Sequence, residues 1–177
     1  MSPPRTVVLL LGSNIDPERN LPLAVDRLRA ETRVDALSRV YETDPIGAPG
    51  TPRFLNAAVR ISTDLTLHRL RADVLRPIEN GLGRVRLPDP NAPRTIDIDI
   101  VFVPGLVLED AEAGLWIPEP ELAVRPHIAV PVADVAGDDS HPITGDRLGA
   151  LAARLARESS IVRRADVVLT QGGRGDA

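Results

Sequence analysis

Hydrophobic positions along the first hundred residues change repeatedly between the short period of a strand and the longer period of a helix. Short apolar, β-rich runs predict strands at residues 6–11, 34–41, 54–61 and 95–103. Helical spacing predicts a helix at residues 17–30, capped by Asp16, and another at 65–75 that continues past a kink at Pro77 to Leu82. This order is the split βαβ arrangement. We therefore predict an α+β fold, a ferredoxin-like βαββαβ antiparallel sheet packed against helices.

Two proline-rich loops and a C-terminal extension complete the predicted domain. The loops cover residues 43–52 and 83–93, and rigid loops of this kind shape a surface. Further along, residues 107–116 resemble a short hairpin, 118–135 are Pro-rich and partly helical, and 146–158 have one apolar helical face. We expect residues 1–170 to form a single domain and residues 171–177 to be a disordered tail.

Composition restricts the chemistry. The chain has 177 residues and no cysteine, which excludes disulfides, thiolate metal sites and cysteine nucleophiles. All 21 basic residues are arginine, which excludes a P-loop lysine and a Schiff base. Phosphate chemistry would therefore depend on arginine, helix N-termini or metal.

Charge and hydropathy patterning indicate the environment of the protein. The net charge of −4 and an aromatic content of 2% argue against a nucleic-acid partner. The sequence has no signal-peptide pattern and no apolar run long enough for a bilayer. We expect a soluble cytoplasmic protein with no membrane partner, and a monomer.

An acid pair on the fourth predicted strand is the strongest chemical signal. Asp97 and Asp99 are two residues apart, so both carboxylates point to one face while the isoleucines between and around them face the core. Adjacent carboxylates repel each other unless a cation lies between them, and oxygen ligands on a strand suit Mg²⁺. The alternative is the polar, solvent-facing side of an amphipathic strand.

Arginines precede the acid pair and supply possible phosphate ligands. Arg84 and Arg86 lie on the loop before the strand, and Arg94 comes directly ahead of it. Each guanidinium can hold phosphate oxygens with two parallel hydrogen bonds, so three of them near a metal would form a polyphosphate clamp. The alternative is salt bridging to acids such as Glu79 and Asp89, which would contribute little at the surface.

Four motifs in order resemble the 6-hydroxymethyl-7,8-dihydropterin pyrophosphokinase family. They are Gly12-Ser13-Asn14, the segment 41–47 (YETDPIG), the segment 52–59 (PRFLNAAV), and GRVR at 83–86 leading to APRTIDID at 92–99. The family has the ferredoxin-like fold with a C-terminal extension. The resemblance implies transfer of pyrophosphate from ATP to a reduced pterin, with release of AMP.

The resemblance also implies a role for individual residues. Asp97 and Asp99 would bind two Mg²⁺ ions with ATP, and Arg84 and Arg94 would be catalytic, while the loop 83–93 would close over ATP. The pterin would be bound by Thr43, Asp44, Ile46, Phe54, Asn56 and His127. ATP would be bound by Glu79, Arg84, Arg86, Arg94, Ile100 and Arg125.

Three positions depart from the family pattern. Glu119 stands where the family has a histidine that contacts ATP, His127 replaces an aromatic residue beside the pterin, and Asn91 replaces a tryptophan of the lid loop. The departures fall on substrate contacts and spare the acid pair and the phosphate arginines. Two alternatives therefore stay open: a noncatalytic pterin- or nucleotide-binding paralogue, and a pyrophosphokinase for a related pterin.

Overall fold

The apolar runs of the chain form an antiparallel sheet in the computed structural model, which describes residues 4–45, 50–89 and 92–169. The strands are β1 Arg5–Ser13, β2 Arg33–Leu37, β3 Tyr41–Thr43, β4 Phe54–Thr63, β5 Asp97–Phe102, β6 Leu108–Asp110, β7 Leu115–Ile117 and β8 Val162–Arg163. The main sheet has the order β5-β1-β4-β3-β8, with β2 also paired to β4. The α+β class with an antiparallel sheet is therefore confirmed.

The predicted strand at 34–41 is divided into β2 and β3. The division lies at Ser38, whose N–H donates to the carbonyl of Ala58 at 2.9 Å and whose hydroxyl accepts from the Ala58 N–H at 2.7 Å. The Ser38 side chain thus replaces one rung of the ladder, and the pairing with β4 shifts in register between Val34 and Ala36. A single alternating pattern does not reveal such a break.

The helices are α1 Pro17–Glu31, α2 Leu67–Arg69, α3 Arg76–Gly81, α4 Pro126–Ala136 and α5 Leu148–Arg157, with a π-helical segment Leu70–Leu75 between α2 and α3. The wider π turn ends next to Pro77, which has no N–H to donate, so the predicted kink becomes a change of helix type. Asp16 does precede α1. However, its side chain makes no capping hydrogen bond, and its backbone is left-handed with φ 45°. Asp16 is therefore the N-cap residue, as predicted, but it caps the helix through its backbone carbonyl, which accepts from the N–H groups of Arg19 and Asn20.

Helices cover both faces of the sheet. On one face, α1 and the helices from α2 to α3 bury the side chains of Val7, Leu9 and Leu11. On the other face, α4 and α5 pack over Val8 and Phe102. The C-terminal extension therefore supplies a second layer, which the sequence did not specify. Since α4 covers one part of this second face, the ends of β1, β4 and β5 remain open on it.

The smaller elements complete the domain. Strands β6 and β7 pair as the hairpin predicted at 107–116, and α5 lies within the helix predicted at 146–158. In the described part of the chain, no helix is both long and apolar enough to cross a membrane. The single domain of residues 1–170 stays a prediction, and the tail 171–177 lies outside the described residues.

Candidate functional site

A cavity of about 310 Å³ opens on the second face of the sheet, where β1 and β3 end and β4 and β5 begin, beside α4. Its lining is Leu10, Gly12, Thr43, Asp44, Pro45, Phe54, Asn56, Arg94, Asp97, Asp99, Glu121 and His127. The fold therefore brings most of the predicted metal and pterin residues to one place. Ile46 and Asn91 lie outside the described residues.

Strand register explains why the two groups of residues meet. Gly12 on β1 pairs with Asn56 of β4 on one side and with Asp97 of β5 on the other. A Cβ atom at Gly12 would lie 3.4 Å from Asn56 Oδ1, so a side chain there would fill the floor between the two neighbours. We call the part around Asp97, Asp99, Arg84 and Arg94 the acid end. The part around Thr43, Phe54, Asn56 and His127 is the ring end.

The two carboxylates of the acid end have unequal surroundings. Arg94 Nη1 lies 2.7 Å from Asp97 Oδ2, and Arg84 Nη2 lies 3.9 Å from the same oxygen. Asp99 has no ion-pair partner among the described residues. Asp99 is exposed to solvent where it lines the cavity. Partial loss of water around its carboxylate raises its pKa, and repulsion from Asp97, Glu79 and Glu119 adds to the rise. Asp99 is thus the carboxylate that most lacks a compensating positive charge.

The acid pair fits a metal whose remaining ligands come from elsewhere. Within the described ranges, no group of three or more histidine, cysteine, aspartate or glutamate side chains is arranged to hold a metal ion. The protein therefore offers two carboxylates on one strand face. Mg²⁺ is typically bound by one or two carboxylates together with water and substrate phosphates. The donor set is consistent with that ion.

Glu79 covers the open edge of β5 beside the acid pair. The residue is 2% exposed, and its Oε1 accepts a hydrogen bond from the Ile98 N–H at 2.8 Å. Oε2 lies 2.6 Å from Arg86 Nη2. Burial raises the pKa of Glu79, while the hydrogen bond from Ile98 opposes that rise. The sequence left two partners open for Arg86, a phosphate or an acid such as Glu79. The structure contains the salt bridge to Glu79.

Arg84 is a buried cation with hydrogen-bonding capacity left over. Its side chain is 9% exposed, and Nη1 donates to the carbonyl of Val85 at 3.0 Å. The buried Nε has no hydrogen-bond partner among the described residues. A buried donor without a partner costs free energy, so an anion beside Arg84 would be stabilised.

Arg94 joins the two ends of the cavity. Its guanidinium pairs with Asp97 and also lies 5.6 Å from the centre of the Phe54 ring. Asn14 holds the backbone at this point, because Asn14 Oδ1 accepts from the Arg94 N–H at 2.7 Å and the Asn14 N–H donates to the Arg94 carbonyl at 3.1 Å. The Gly12-Ser13-Asn14 motif therefore has a positioning role that the sequence showed only as a turn.

The ring end is held by its own hydrogen bonds. Asn56 is 4% exposed, and its Nδ2 donates to Thr43 Oγ1 at 2.9 Å. Phe54 is half-buried on the same strand. His127 enters from the start of α4, and burial lowers its pKa, so the imidazole is neutral near pH 7.

The other predicted ATP residues do not line the cavity. Arg125 Nε is bound to Glu121 Oε1 at 2.9 Å, and Glu121 lines the cavity although the sequence did not single it out. The Ile100 side chain is buried in the apolar core of the opposite face, which leaves only its backbone for a ligand. Glu119 is half-buried, and burial raises its pKa.

The chain is similar to one family of known proteins. A family model described as 7,8-dihydro-6-hydroxymethylpterin-pyrophosphokinase (HPPK) matches residues 8–137. The 2-amino-4-hydroxy-6-hydroxymethyldihydropteridine pyrophosphokinase of Methylorubrum extorquens is 42% identical over 131 residues, which are 72% of this chain and 80% of that protein. The protein of the same name from Bacillus subtilis is 38% identical over 130 residues, 72% of this chain and 75% of its own.

Longer relatives match through only part of their length. The folic acid synthesis protein FOL1 of Dictyostelium discoideum is 35% identical over 146 residues, which cover 80% of this chain but 22% of that protein. Among solved structures, Plasmodium falciparum HPPK-DHPS with pteroate superposes with a TM-score of 0.65 at 15% identity, over 88% of this chain and 43% of that one. This structural likeness supports the fold alone.

Proposed function

The chain belongs to the 7,8-dihydro-6-hydroxymethylpterin-pyrophosphokinase family, and we propose that it transfers pyrophosphate from ATP to 6-hydroxymethyl-7,8-dihydropterin in folate biosynthesis. The products would be AMP and the pterin diphosphate. One observation carries the proposal: a single cavity joins the acid pair to Phe54 and Asn56, with Arg94 in contact with both ends. This arrangement offers a place for a polyphosphate beside a place for a flat polar ring.

The acid end would bind Mg²⁺ together with ATP. Asp97 and Asp99 would hold two ions, because their oxygen ligands and uncompensated negative charge suit a hard cation. The metal would supply charge neutralisation on the phosphates and on the attacking oxygen.

Arginine side chains would stabilise the group being transferred. Arg84 has an unused buried donor, and Arg94 can exchange its contact with Asp97 for a phosphate oxygen. The hydroxymethyl oxygen would attack the β-phosphorus of ATP, and the bond from that phosphorus to AMP would break. Such transfers depend mainly on positioning and charge stabilisation, which fixed guanidinium groups provide.

The ring end would orient the pterin. Phe54 would lie against one face of the ring and neutral His127 against the other, while Asn56, Thr43 and Asp44 would meet its polar edge. Stacking on aromatic side chains suits a flat heterocycle. The predicted contact of Ile46 remains a prediction from the family resemblance.

The nucleotide would lie along the outer edge of β5. Glu79, Arg86 and the Ile100 backbone are near this edge, and Arg125 would reach the phosphates once released from Glu121. Closure of loop 83–93 over ATP, a cytoplasmic location and a monomeric state complete the proposal.

A coupled assay tests the reaction directly. The purified chain should form AMP from ATP only when both the reduced hydroxymethylpterin and Mg²⁺ are present, and chelation with EDTA should stop turnover. Failure to consume ATP under these conditions would refute the catalytic proposal.

A noncatalytic pterin-binding protein is the second candidate, favoured by Glu119 at the position where the family has histidine. Calorimetry with the reduced pterin distinguishes the two, since binding without AMP formation would support the second candidate.

A further inference from the structure

The C-terminal segment 158–169 lies outside the family match at residues 8–137, yet it pairs with the strand that forms one wall of the cavity. In the β3–β8 pairing, Tyr41 is opposite Arg163 and Glu42 is opposite Val162. The Arg164 N–H donates to the Val40 carbonyl at 2.9 Å. The segment is therefore attached to the backbone immediately before the cavity residue Thr43.

Apolar side chains anchor the far part of this segment. Val167 and Leu169 are buried in the core cluster that also contains Val40. The segment is thus fixed at two places: by strand pairing at its start and by core packing beyond it. Because truncation would remove this packing as well, only side-chain substitutions can test a specific role.

Arg164 connects the segment to Glu42 on β3. Its Nη1 lies 2.6 Å from Glu42 Oε2, and its Nη2 lies 3.2 Å from Glu18 Oε1 on α1. The Arg164 side chain is 25% exposed and that of Glu42 is 20% exposed, so solvent screens this contact less than it screens an ordinary surface pair. Hydrogen bonds from Arg53 and then Arg164 hold the pKa of Glu42 below its usual value.

The connection continues to the other side of Thr43. Arg53 bridges Glu42 and Asp44, with Nη1 at 2.9 Å from Glu42 Oε1 and Nε at 2.8 Å from Asp44 Oδ1. Ser160 Oγ is 3.2 Å from Asp44 Oδ2. The carboxylates before and after Thr43 are therefore both held by the C-terminal segment. Asp44 and Thr43 themselves line the cavity.

We propose that Arg164 and Ser160 are positioning residues that hold Thr43 and Asp44 in place, so that the ring end is organised before the substrate arrives. Preorganisation of a binding wall improves affinity by reducing the ordering cost of binding. The substrate named here, the reduced pterin, rests on the proposed function. The acid end makes no contact with this segment among the described contacts, so ATP binding should be unaffected.

Arg164→Ala tests the proposal, with Arg163→Ala as the matched control. Arg163 is the neighbouring arginine on β8, is exposed, and makes no ion pair within the described residues. In Arg164→Ala, amide exchange at residues 42–44 should become faster without any ligand. The KM for the pterin should rise about 3- to 10-fold, as expected for loss of a few preorganising contacts. The KM for ATP should not change, and kcat should stay within about twofold.

Two further variants sharpen the result. Arg164→Lys keeps the charge and should recover part of the pterin KM, whereas Ser160→Ala should raise it by only about twofold because it removes one exposed contact. A double-mutant cycle of Arg164→Ala with Glu42→Gln should be non-additive for the pterin KM.

The outcomes separate this inference from the proposed function. Unchanged exchange at residues 42–44 in Arg164→Ala, or equal changes in the KM for both substrates, would overturn the positioning role. If the unmodified chain forms no AMP, the proposed function fails, while the ligand-free exchange measurement still decides whether Arg164 fixes this wall.

Discussion

The two ends of the cavity satisfy their polar groups in opposite ways. At the ring end, Asn56 is bonded to Thr43 and the wall is held from outside by Arg53 and Arg164. At the acid end, Asp99 lacks an ion-pair partner within the described chain and the Nε of Arg84 has no acceptor there. The polar groups named at the ring end are therefore paired without a ligand, whereas the acid end keeps a carboxylate and an N–H donor without partners.

This difference predicts how substitutions at each end should change turnover, substrate affinity and stability. An incomplete polar site lowers the stability of the free protein, but it stabilises charge that a ligand brings or that develops during reaction. A site whose polar groups are already paired costs the free protein little stability, and it contributes mainly by selecting the shape of the substrate. Substitutions at the acid end should therefore lower turnover without a matching loss of stability, whereas loss of a paired polar group at the ring end should lower both substrate affinity and stability.

Asp99→Asn should have the largest effect. Removing one carboxylate of the proposed metal pair should reduce kcat by about 1,000-fold or more, since metal stabilisation of phosphoryl charge is worth several kcal/mol. Loss of repulsion from Asp97, Glu79 and Glu119 should raise Tm in EDTA by roughly 2–4 °C, a small value because solvent in the cavity screens the charge. A kinetic assay and a thermal melt measure the two effects.

Ile98→Val serves as the control on the same strand, because it changes the buried face without altering the carboxylates. It should lower Tm slightly and leave kcat nearly unchanged. A fall in the Tm of Asp99→Asn would mean that Asp99 stabilises the fold, which would contradict the distinction between the two ends.

Arg84→Ala should have the second largest effect on kcat. Removing one preorganised donor to transferring oxygens should lower kcat about 100-fold, by analogy with the loss of an oxyanion donor. Stability should change little, since the variant removes an unsatisfied buried Nε together with packing of the side-chain stem. Comparison with Arg84→Lys shows whether charge alone is sufficient; full activity of Arg84→Ala would exclude this residue from the reaction.

Asn56→Ala should have a smaller effect on activity and a clear effect on stability. The buried amide loses its bond to Thr43, and the pterin KM should rise about tenfold, which corresponds to about 1.4 kcal/mol. Tm should fall, because Thr43 loses its partner and a small space is left. Steady-state kinetics with varied pterin and a melt without ligand test this; a large fall in kcat with an unchanged KM would assign Asn56 to the acid end instead.

Among these variants, His127→Phe should change the stability of the protein least at neutral pH, and it should change it more in acid. Burial lowers the pKa of His127 below its ordinary value near 6.5, so the unfolded chain binds more protons than the folded one. Stability should therefore decrease as the pH falls below about 6.5, and His127→Phe should lessen that decrease. Part of it should persist, because burial also lowers the pKa of His141. Urea titrations of both proteins from pH 8 to pH 5 give the free energy of unfolding at each pH. If His127 were solvated, this free energy would change with pH equally in the two proteins.

Much of this molecule could be predicted from local pattern. The period-two alternation of residues 96–100 predicted correctly that Ile98 would be buried and that Asp97 and Asp99 would share a face. The family membership was also accessible, since four ordered motifs carry it.

The remaining features depend on contacts between distant residues. The sequence offered both a phosphate and acids such as Glu79 as partners for Arg86, and only the folded structure shows that Glu79 holds its guanidinium. The role of Asn14 depends on a partner 80 residues away at Arg94. Likewise, Ser38 interrupts a strand only because Ala58 is its neighbour across the sheet. Such effects come from tertiary structure and leave no periodic trace.

The pairing of Tyr41 with Arg163 also has a consequence for the order in which the protein folds. During synthesis, β1 to β4 can pair while the chain is still emerging from the ribosome, but the edge of β3 stays uncovered until β8 has been made. Contacts between such distant residues form late, because closing a long loop is entropically costly. The wall at Thr43 should therefore be among the last parts of the domain to become native, and a nascent chain should acquire affinity for its ring substrate only at the end of folding.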